Sequence, residues 1–251
     1  MGIRVFQKMI FTWWRTHRRA LPWRETRDPY RILVSEVMLQ QTQVSRVLPK
    51  YEEFLFYFPD AYALANASPA HVLRAWKGMG YNRRALFLKR TAEIIIMDYK
   101  SIFPDNEMQL IKLPGLGRYT ARALLVFAFE KDVAMVDTNI RQIITHFFYN
   151  DIYQSEKVIQ KTADKLLPPG KSWEWHQALM DYGATELPKV KNMKRKSTPF
   201  YGSNRYYRGR IVDRLREGRV KESECGNIKA VDGLIKDGLI ELVDGVLQLP
   251  L

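Results

Sequence analysis

Two carboxylates stand among neighbours that could give them chemical work. Glu36, in "RILVSEVMLQQTQV", has Ile32, Leu33, Leu39 and Gln40 three and four residues away, so on a helix all four share its face. A carboxylate on an apolar face loses hydration, which raises its pKa and favours the protonated acid, a group able to give up a proton near neutral pH. The competing state is a glutamate at the margin of that face, reaching water or pairing with Arg31 or Arg46, and for a helical glutamate taken alone it is the commoner one. Asp137 follows the apolar "DVAMV" and precedes Thr138, Asn139 and Ile140, where a helix N-cap belongs. A capping aspartate needs no further reason to exist. The same geometry, with N–H donors and the positive helix end, also keeps a carboxylate ionised. The two acids are thus expected to have opposite pKa tendencies, the pattern of a proton donor beside a charge stabiliser.

A third feature is "LPGLGRYTARALL", residues 113–125. Gly115 and Gly117, just before a helix starting at Arg118 or Tyr119, let main-chain N–H groups approach an anion closely. With the helical "NEMQLIKL" ahead of it, the stretch reads as helix, hairpin, helix. A glycine turn between two packed helices is the plainer alternative. The longer pattern, which includes Leu113, Arg118 and Thr120, favours phosphate contact.

The elements that must carry these residues are helical. Apolar residues keep a helical period from residue 28 to about 185, and strand-like alternation is scarce. Phe6, Ile10, Trp13 and His17 predict a first amphipathic helix ending before Leu21-Pro22. Asp28-Pro29 and Ser68-Pro69 are helix starts, a cap followed by proline at the first helical position, and Gly78 or Gly80 closes the helix that Ser68 opens. "SEVMLQQTQV" reads as one helix finished by Gln40, Gln41 and Gln43. The fold class expected is mainly α, with residues 1–187 as the principal domain, a basic linker over 188–205, and a small winged-helix-like segment over 206–251: helix, helix and a hairpin turning at Asp244-Gly245.

Composition narrows the partners. Forty Lys and Arg against 27 Asp and Glu give a net charge of +13 and a pI near 9.7 in 251 residues, the electrostatic footprint expected for a polyphosphate such as nucleic acid. Anionic membranes and plain solubility compete with it. The one cysteine, Cys225, excludes an internal disulfide and a four-thiolate metal site. No apolar run reaches the roughly 18 to 20 residues of a membrane span, so no membrane partner is expected; a cytoplasmic, nucleoid-associated setting and a monomer are default expectations.

Taken together, "LPWRETRDPYRILVSEVMLQQTQVSRVLPKYEEFLFYFP", "LRAWKGMGYNRRA", "LPGLGRYTARALLVFAF" and "MVDTNIRQI" resemble the helix–hairpin–helix DNA glycosylases, over residues 6 to about 185. Within that superfamily they most resemble the branch that removes adenine mispaired with guanine or 8-oxoguanine. The resemblance implies two helical subdomains with a cleft between them and a target base flipped out of duplex DNA. It makes Glu36 the general acid for the departing base and Asp137 the group that stabilises the cationic sugar, two carboxylates applied to an N-glycosidic bond. Leu21, Trp23 and Arg24, with Asp181, match the family's base pocket, although core packing is a plausible use of Trp23. Tyr119 and Asn139 match pocket-lining polar groups. Gln40, Gln41 and Tyr81 match residues that insert at or read around the unstacked position; for the glutamines an ordinary polar helix end weighs equally.

Tyr119 also bears on mechanism. Relatives that cut the strand as well carry a lysine there, whose amine forms a Schiff base, and tyrosine cannot form that imine. Tyrosine at this position is shared with mismatch thymine glycosylases, so a thymine or uracil glycosylase is the alternative activity, and a DNA-binding protein that has lost catalysis is a second alternative. The family's [4Fe–4S] cluster is expected to be absent for want of cysteines, leaving no metal and no cofactor. Lys189, Lys191, Lys194, Arg195 and Lys196 could take over phosphate contacts of the missing loop, and the family's domain for reading 8-oxoguanine has no counterpart after residue 205. The activity implied is a monofunctional glycosylase of base excision repair acting on double-stranded DNA that contains a mispaired or damaged base.

Overall fold

The computed structural model describes residues 1–187 and 199–251. In chain order its helices are Ile3–His17 (α1), Pro29–Leu39 (α2), Val44–Tyr57 (α3), Ala61–Asn66 (α4), Pro69–Ala75 (α5), Arg83–Met97 (α6), Glu107–Leu110 (α7), Arg118–Phe127 (α8), Thr138–Tyr149 (α9), Glu156–Leu166 (α10), Ser172–Thr185 (α11), Asn204–Glu217 (α12) and Ile228–Lys236 (α13). Three short strands, Val220–Lys221 (β1), Glu241–Val243 (β2) and Val246–Gln248 (β3), accompany α12 and α13. The mainly α class holds. No helix of the described residues is long and apolar enough to cross a membrane.

The chain divides into two compact units, one of Met1–Glu36 with Pro104–Lys191, the other of Val37–Phe103 with Asn192–Leu251. In the first, α11 packs on α1 and α9, and α10 packs on α9. The face that α1 buries is Phe6, Ile10 and Trp14, not Trp13 and His17, whose rings stack on each other toward the outside at 4.7 Å. Trp14 wins because its indole N–H finds a buried acceptor, described below. Phe6 meets Trp175 edge-on at 5.7 Å, and Ile140, Ile143, Ile144 and Ile159 close the core around them. Each such side chain contributes about 1.5–3 kcal/mol on burial.

Asp28 caps α2 as expected, its Oδ1 accepting from the N–H groups of Tyr30 (2.8 Å) and Arg31 (3.4 Å). The helix stops at Leu39, however, and Gln40–Gln43 do not extend it. Gln41 has φ +57°, and α3 starts only at Val44. The cause is Arg84 of α6, whose guanidinium takes the carbonyls of Val37 (2.8 Å), Met38 (2.9 Å) and Gln40 (2.6 Å). These are the acceptors a helix end leaves unpaired.

In the second unit α6 packs on α4 and α5, and α12 packs on α5 and α13. Ser68 accepts from His71 N–H and caps α5, which ends at Ala75; Gly78 and Gly80, both with positive φ, shape the turn after it. The tail follows the expected order, with Asp244 and Gly245 both left-handed in the β2–β3 turn. Strand β1, two residues too short to show alternation, was not anticipated; it joins an antiparallel sheet of order β1-β3-β2. The tail is fastened to the same unit: Ala70 N–H donates to Pro250 O (2.9 Å), and Arg216 donates to Leu73 O (2.9 Å) and Asn82 Oδ1 (3.0 Å). Compact packing therefore groups residues 199–251 with 37–103, whereas composition set 206–251 apart.

Candidate active site

The first unit assembles the two acids. Glu36 is 5 % exposed on α2. Its carboxyl accepts a hydrogen bond from the Tyr119 hydroxyl, and its pKa is pushed up to about 7 by burial, with the nearby Asp137 charge adding to the rise and the Tyr119 bond opposing it. Burial together with the Glu36 and Asp137 charges raises the Tyr119 hydroxyl well above its usual range, so it stays a neutral donor. The solvated alternative for Glu36, with Arg31 or Arg46 as partner, is not what the fold adopts.

Tyr119 is placed by the hairpin. Asn106 caps α7, accepting from Gln109 N–H at 3.1 Å; the helical stretch before the turn is only Glu107–Leu110. Leu113 N–H then bonds Leu110 O, and Leu116 N–H bonds Leu113 O. Gly115 is left-handed at φ +77°, while Gly117 is an extended N-cap residue of α8. Leu113 and Thr120 are each 3 % exposed, so their side chains pack inward and any anion contact from them is limited to the main chain. The exposed part of the motif is Gly115, Gly117 and Arg118, and Arg118 also faces Glu107 at 3.3 Å.

Asp137 sits at the start of α9 as a cap, its Oδ1 accepting from Ile140 N–H (2.7 Å) and its Oδ2 from Asn139 Nδ2 (3.0 Å). The extended segment before it is pinned from three helices. Ala134 O accepts from Arg122 of α8 (2.8 Å) and Gln160 of α10 (3.0 Å), and Met135 N–H donates to His176 Nε2 of α11 (3.1 Å). His176 in turn donates its Nδ1–H to Ser172 O at 2.6 Å, and burial lowers its pKa to about 4, so it is a neutral acceptor for Met135. Gly183 permits the close approach of α11 to α9: a Cβ there would lie 2.9 Å from Asn139 Cβ and 3.2 Å from Asn139 O. None of Arg122, His176 and Gly183 had a sequence signal of its own, beyond the glycine in "MDYG".

One expectation is overturned here. Asp137 is not held below its ordinary pKa; burial raises it, outweighing the N–H donors of Ile140 and Asn139. Both acids are therefore shifted upward. The hydrogen bonds around them still differ: Asp137 accepts from Ile140 N–H and Asn139 Nδ2, and Glu36 accepts from Tyr119, an arrangement that favours the anion on Asp137 and the proton on Glu36.

Asp181 and Arg24 meet, but as a closed hub. Asp181 is 0 % exposed and receives Arg24 through two bonds of 2.8 Å, Trp14 Nε1 at 3.0 Å, and the Arg19 main-chain N–H and side chain. Burial alone would raise its pKa; the bonds and charges of Arg24 and Arg19 prevail and lower it. With its lone pairs so occupied, Asp181 has no acceptor left for a base, and its place is to fasten α1, the Pro22–Arg24 turn and α11. Leu21 and Trp23, next to Arg24 in the chain, are buried. Gln40, Gln41 and Tyr81 belong to the other unit, where Arg84 donates to Gln40 O, lies 5.6 Å from the Tyr81 ring centre and also donates to Met79 O and Gly80 O (both 3.2 Å). Lys189, Lys191, Lys194, Arg195 and Lys196 lie outside the described residues. A single cysteine cannot furnish the thiolates of an iron–sulfur cluster, and the described residues contain no group of three or more His, Cys, Asp or Glu arranged for a metal.

Comparison with known proteins agrees with this frame. The model of the HhH-GPD superfamily of base excision DNA repair proteins matches residues 34–169. An adenine DNA glycosylase of Mycolicibacterium smegmatis is 34% identical over 267 residues, which cover 92% of this chain and 91% of that protein. A thymine/uracil-DNA glycosylase of Methanothermobacter thermautotrophicus is 35% identical over 185 residues, covering 72% and 84%. Among solved structures, a thermostable thymine-DNA glycosylase superposes with a TM-score of 0.71 at 34% identity, over 75% of this chain and 89% of that one.

Proposed function

The chain belongs to the HhH-GPD superfamily of base excision DNA repair proteins, and on that premise we propose that it is a monofunctional DNA glycosylase hydrolysing the N-glycosidic bond of adenine mispaired with guanine or 8-oxoguanine. The observation that carries the reading is Glu36, a buried acid with a pKa of about 7 coupled to Asp137. Protonated Glu36 gives its proton to the departing base as the bond to C1′ breaks, and the electron pair of that bond leaves with the base. Asp137, as carboxylate, stabilises the positive charge left on the sugar. Water then adds to C1′ and returns a proton to Glu36, completing hydrolysis. Tyr119 offers no amine for a Schiff base, so the product is an abasic site in an uncut strand.

Adenine is favoured by an adenine DNA glycosylase relative that aligns over nine-tenths of both chains. The thymine/uracil relative and the superposable thymine glycosylase favour a second reading, removal of thymine or uracil opposite guanine. The protein acts as a monomer on double-stranded DNA at the nucleoid, without a cofactor. Single-turnover assays on duplexes with A opposite G or 8-oxoguanine, and T or U opposite G, with alkali to reveal abasic sites, separate the readings. Adenine release that disappears in Glu36→Gln supports the first; release of thymine or uracil alone replaces it with the second. Strand breaks without alkali, keeping pace with base release, contradict the monofunctional assignment.

A further inference from the structure

The second unit contains an open groove of about 910 Å³ that the chemistry of Glu36 and Asp137 does not use. Part of its lining comes from the turns that carry Gln40, Gln41 and Tyr81, and part from the tail: Phe200, with Asn204, Arg205 and Arg208 of α12. The tail residues lie outside the 34–169 region matched to the superfamily. Six arginines line the groove (46, 83, 84, 205, 208 and 216) against the single carboxylate of Asp213.

Several of these cations are committed. Arg84 holds main-chain carbonyls, Arg216 pairs with Asp213, and Arg83 and Arg208 share the one carboxylate of Asp237. Arg46 is exposed and has no ion-pair partner among the described residues. Arg205 donates to the Tyr81 hydroxyl at 3.0 Å and lies 5.1 Å from the Phe200 ring centre and 5.9 Å from that of Tyr81, with no ion-pair partner among the described residues. The two rings that Arg205 links are 46 % and 47 % exposed. Tyr81 and Gln41 both hold left-handed backbone, at φ +45° and +57°. For residues of their size this conformation persists only where surroundings impose it, and it clusters at binding sites.

Unneutralised guanidinium groups interleaved with exposed ring faces form a stacking platform for single-stranded nucleic acid, in which cations track phosphates and rings take bases of any sequence. The volume lies within the range of ligand-binding clefts in general. We propose that the C-terminal tail extends the DNA-reading turn that the resemblance already assigns to Tyr81: Phe200 offers a second ring face to a base lying against Tyr81, and Arg205, with Arg46, meets the flanking phosphates. The C-terminal tail is then part of the DNA interface, and Arg205 is a positioning residue that fixes the Tyr81 ring. This inference rests on the glycosylase reading above.

The test uses the full chain and a short fluorescent duplex carrying a stable abasic analogue opposite guanine, with binding followed by anisotropy over a series of KCl concentrations. Arg205→Ala should weaken binding about tenfold and reduce the slope of log Kd against log salt by about one, the signature of one lost phosphate contact. Phe200→Ala should weaken binding about tenfold with the slope unchanged, since it removes stacking and no charge. Arg205→Lys should restore the slope, a response that a merely structural role would not give. Binding within twofold of the parent in both alanine variants, or a slope that lysine fails to restore, overturns the proposal. A parent protein that neither binds the duplex nor releases a base overturns the glycosylase reading instead.

Discussion

Replacing Glu36 by glutamine should abolish base release and, in the same step, stabilise the protein at alkaline pH. The shape is conserved, and the amide oxygen can still accept from Tyr119. What disappears is an ionisable group whose pKa rises from an ordinary 4.5 to about 7 on folding. At 1.36 kcal/mol per pKa unit, that rise corresponds to about 3 kcal/mol of folding free energy. Because the folded pKa is the higher one, the protonated acid carries no penalty below pH 4.5; stability is lost as pH rises toward 7, and above that the full penalty of a buried anion is present. Glu36→Gln removes it. Its stability should therefore equal the parent's near pH 4.5 and exceed it by about 3 kcal/mol at pH 8, or roughly 10 °C in Tm for a chain of this size. Urea denaturation of both proteins across pH 4.5–8.5 reads the difference directly. A gap that stays flat with pH means that Glu36 is solvated in the folded state, and the proton-donor argument collapses with it.

Removing the Tyr119 hydroxyl deletes the one interaction that lowers the Glu36 pKa, so Tyr119→Phe should move the alkaline limb of the rate profile upward by roughly half to one pH unit, the worth of one neutral hydrogen bond; a downward move refutes the assignment. Gly183→Ala forces a Cβ to within 2.9 Å of Asn139 Cβ and must displace the start of α9, costing about 1–3 kcal/mol of stability and on the order of a hundredfold in base release through misplacement of Asp137. Normal single-turnover rates in that variant would show that the approach of α11 to α9 is not critical. Asp181→Ala strands the buried Arg24 guanidinium and should destabilise by about 3–5 kcal/mol, measured by denaturation; a loss under 1 kcal/mol would mean water replaces the carboxylate.

What the sequence determined by itself was local. Asp28 before Pro29, Ser68 before Pro69, the Asp137 cap and the Asp244-Gly245 turn were all legible, because each satisfies its hydrogen bonds within about four residues. The resemblance then supplied the pairing of Glu36 with Asp137, which no spacing could, since 100 residues separate them. Tertiary structure decided the rest. Helix α2 stops at Leu39 because Arg84, more than 40 residues on, takes its last carbonyls. Asp181 is spent on Trp14, Arg19 and Arg24 because three distant segments converge on it. Asp137, expected to be held acidic by its cap, is raised. A cap is written in the next three residues, whereas the loss of hydration is set by whatever remote side chains cover the carboxyl, and those are known only once the chain has folded.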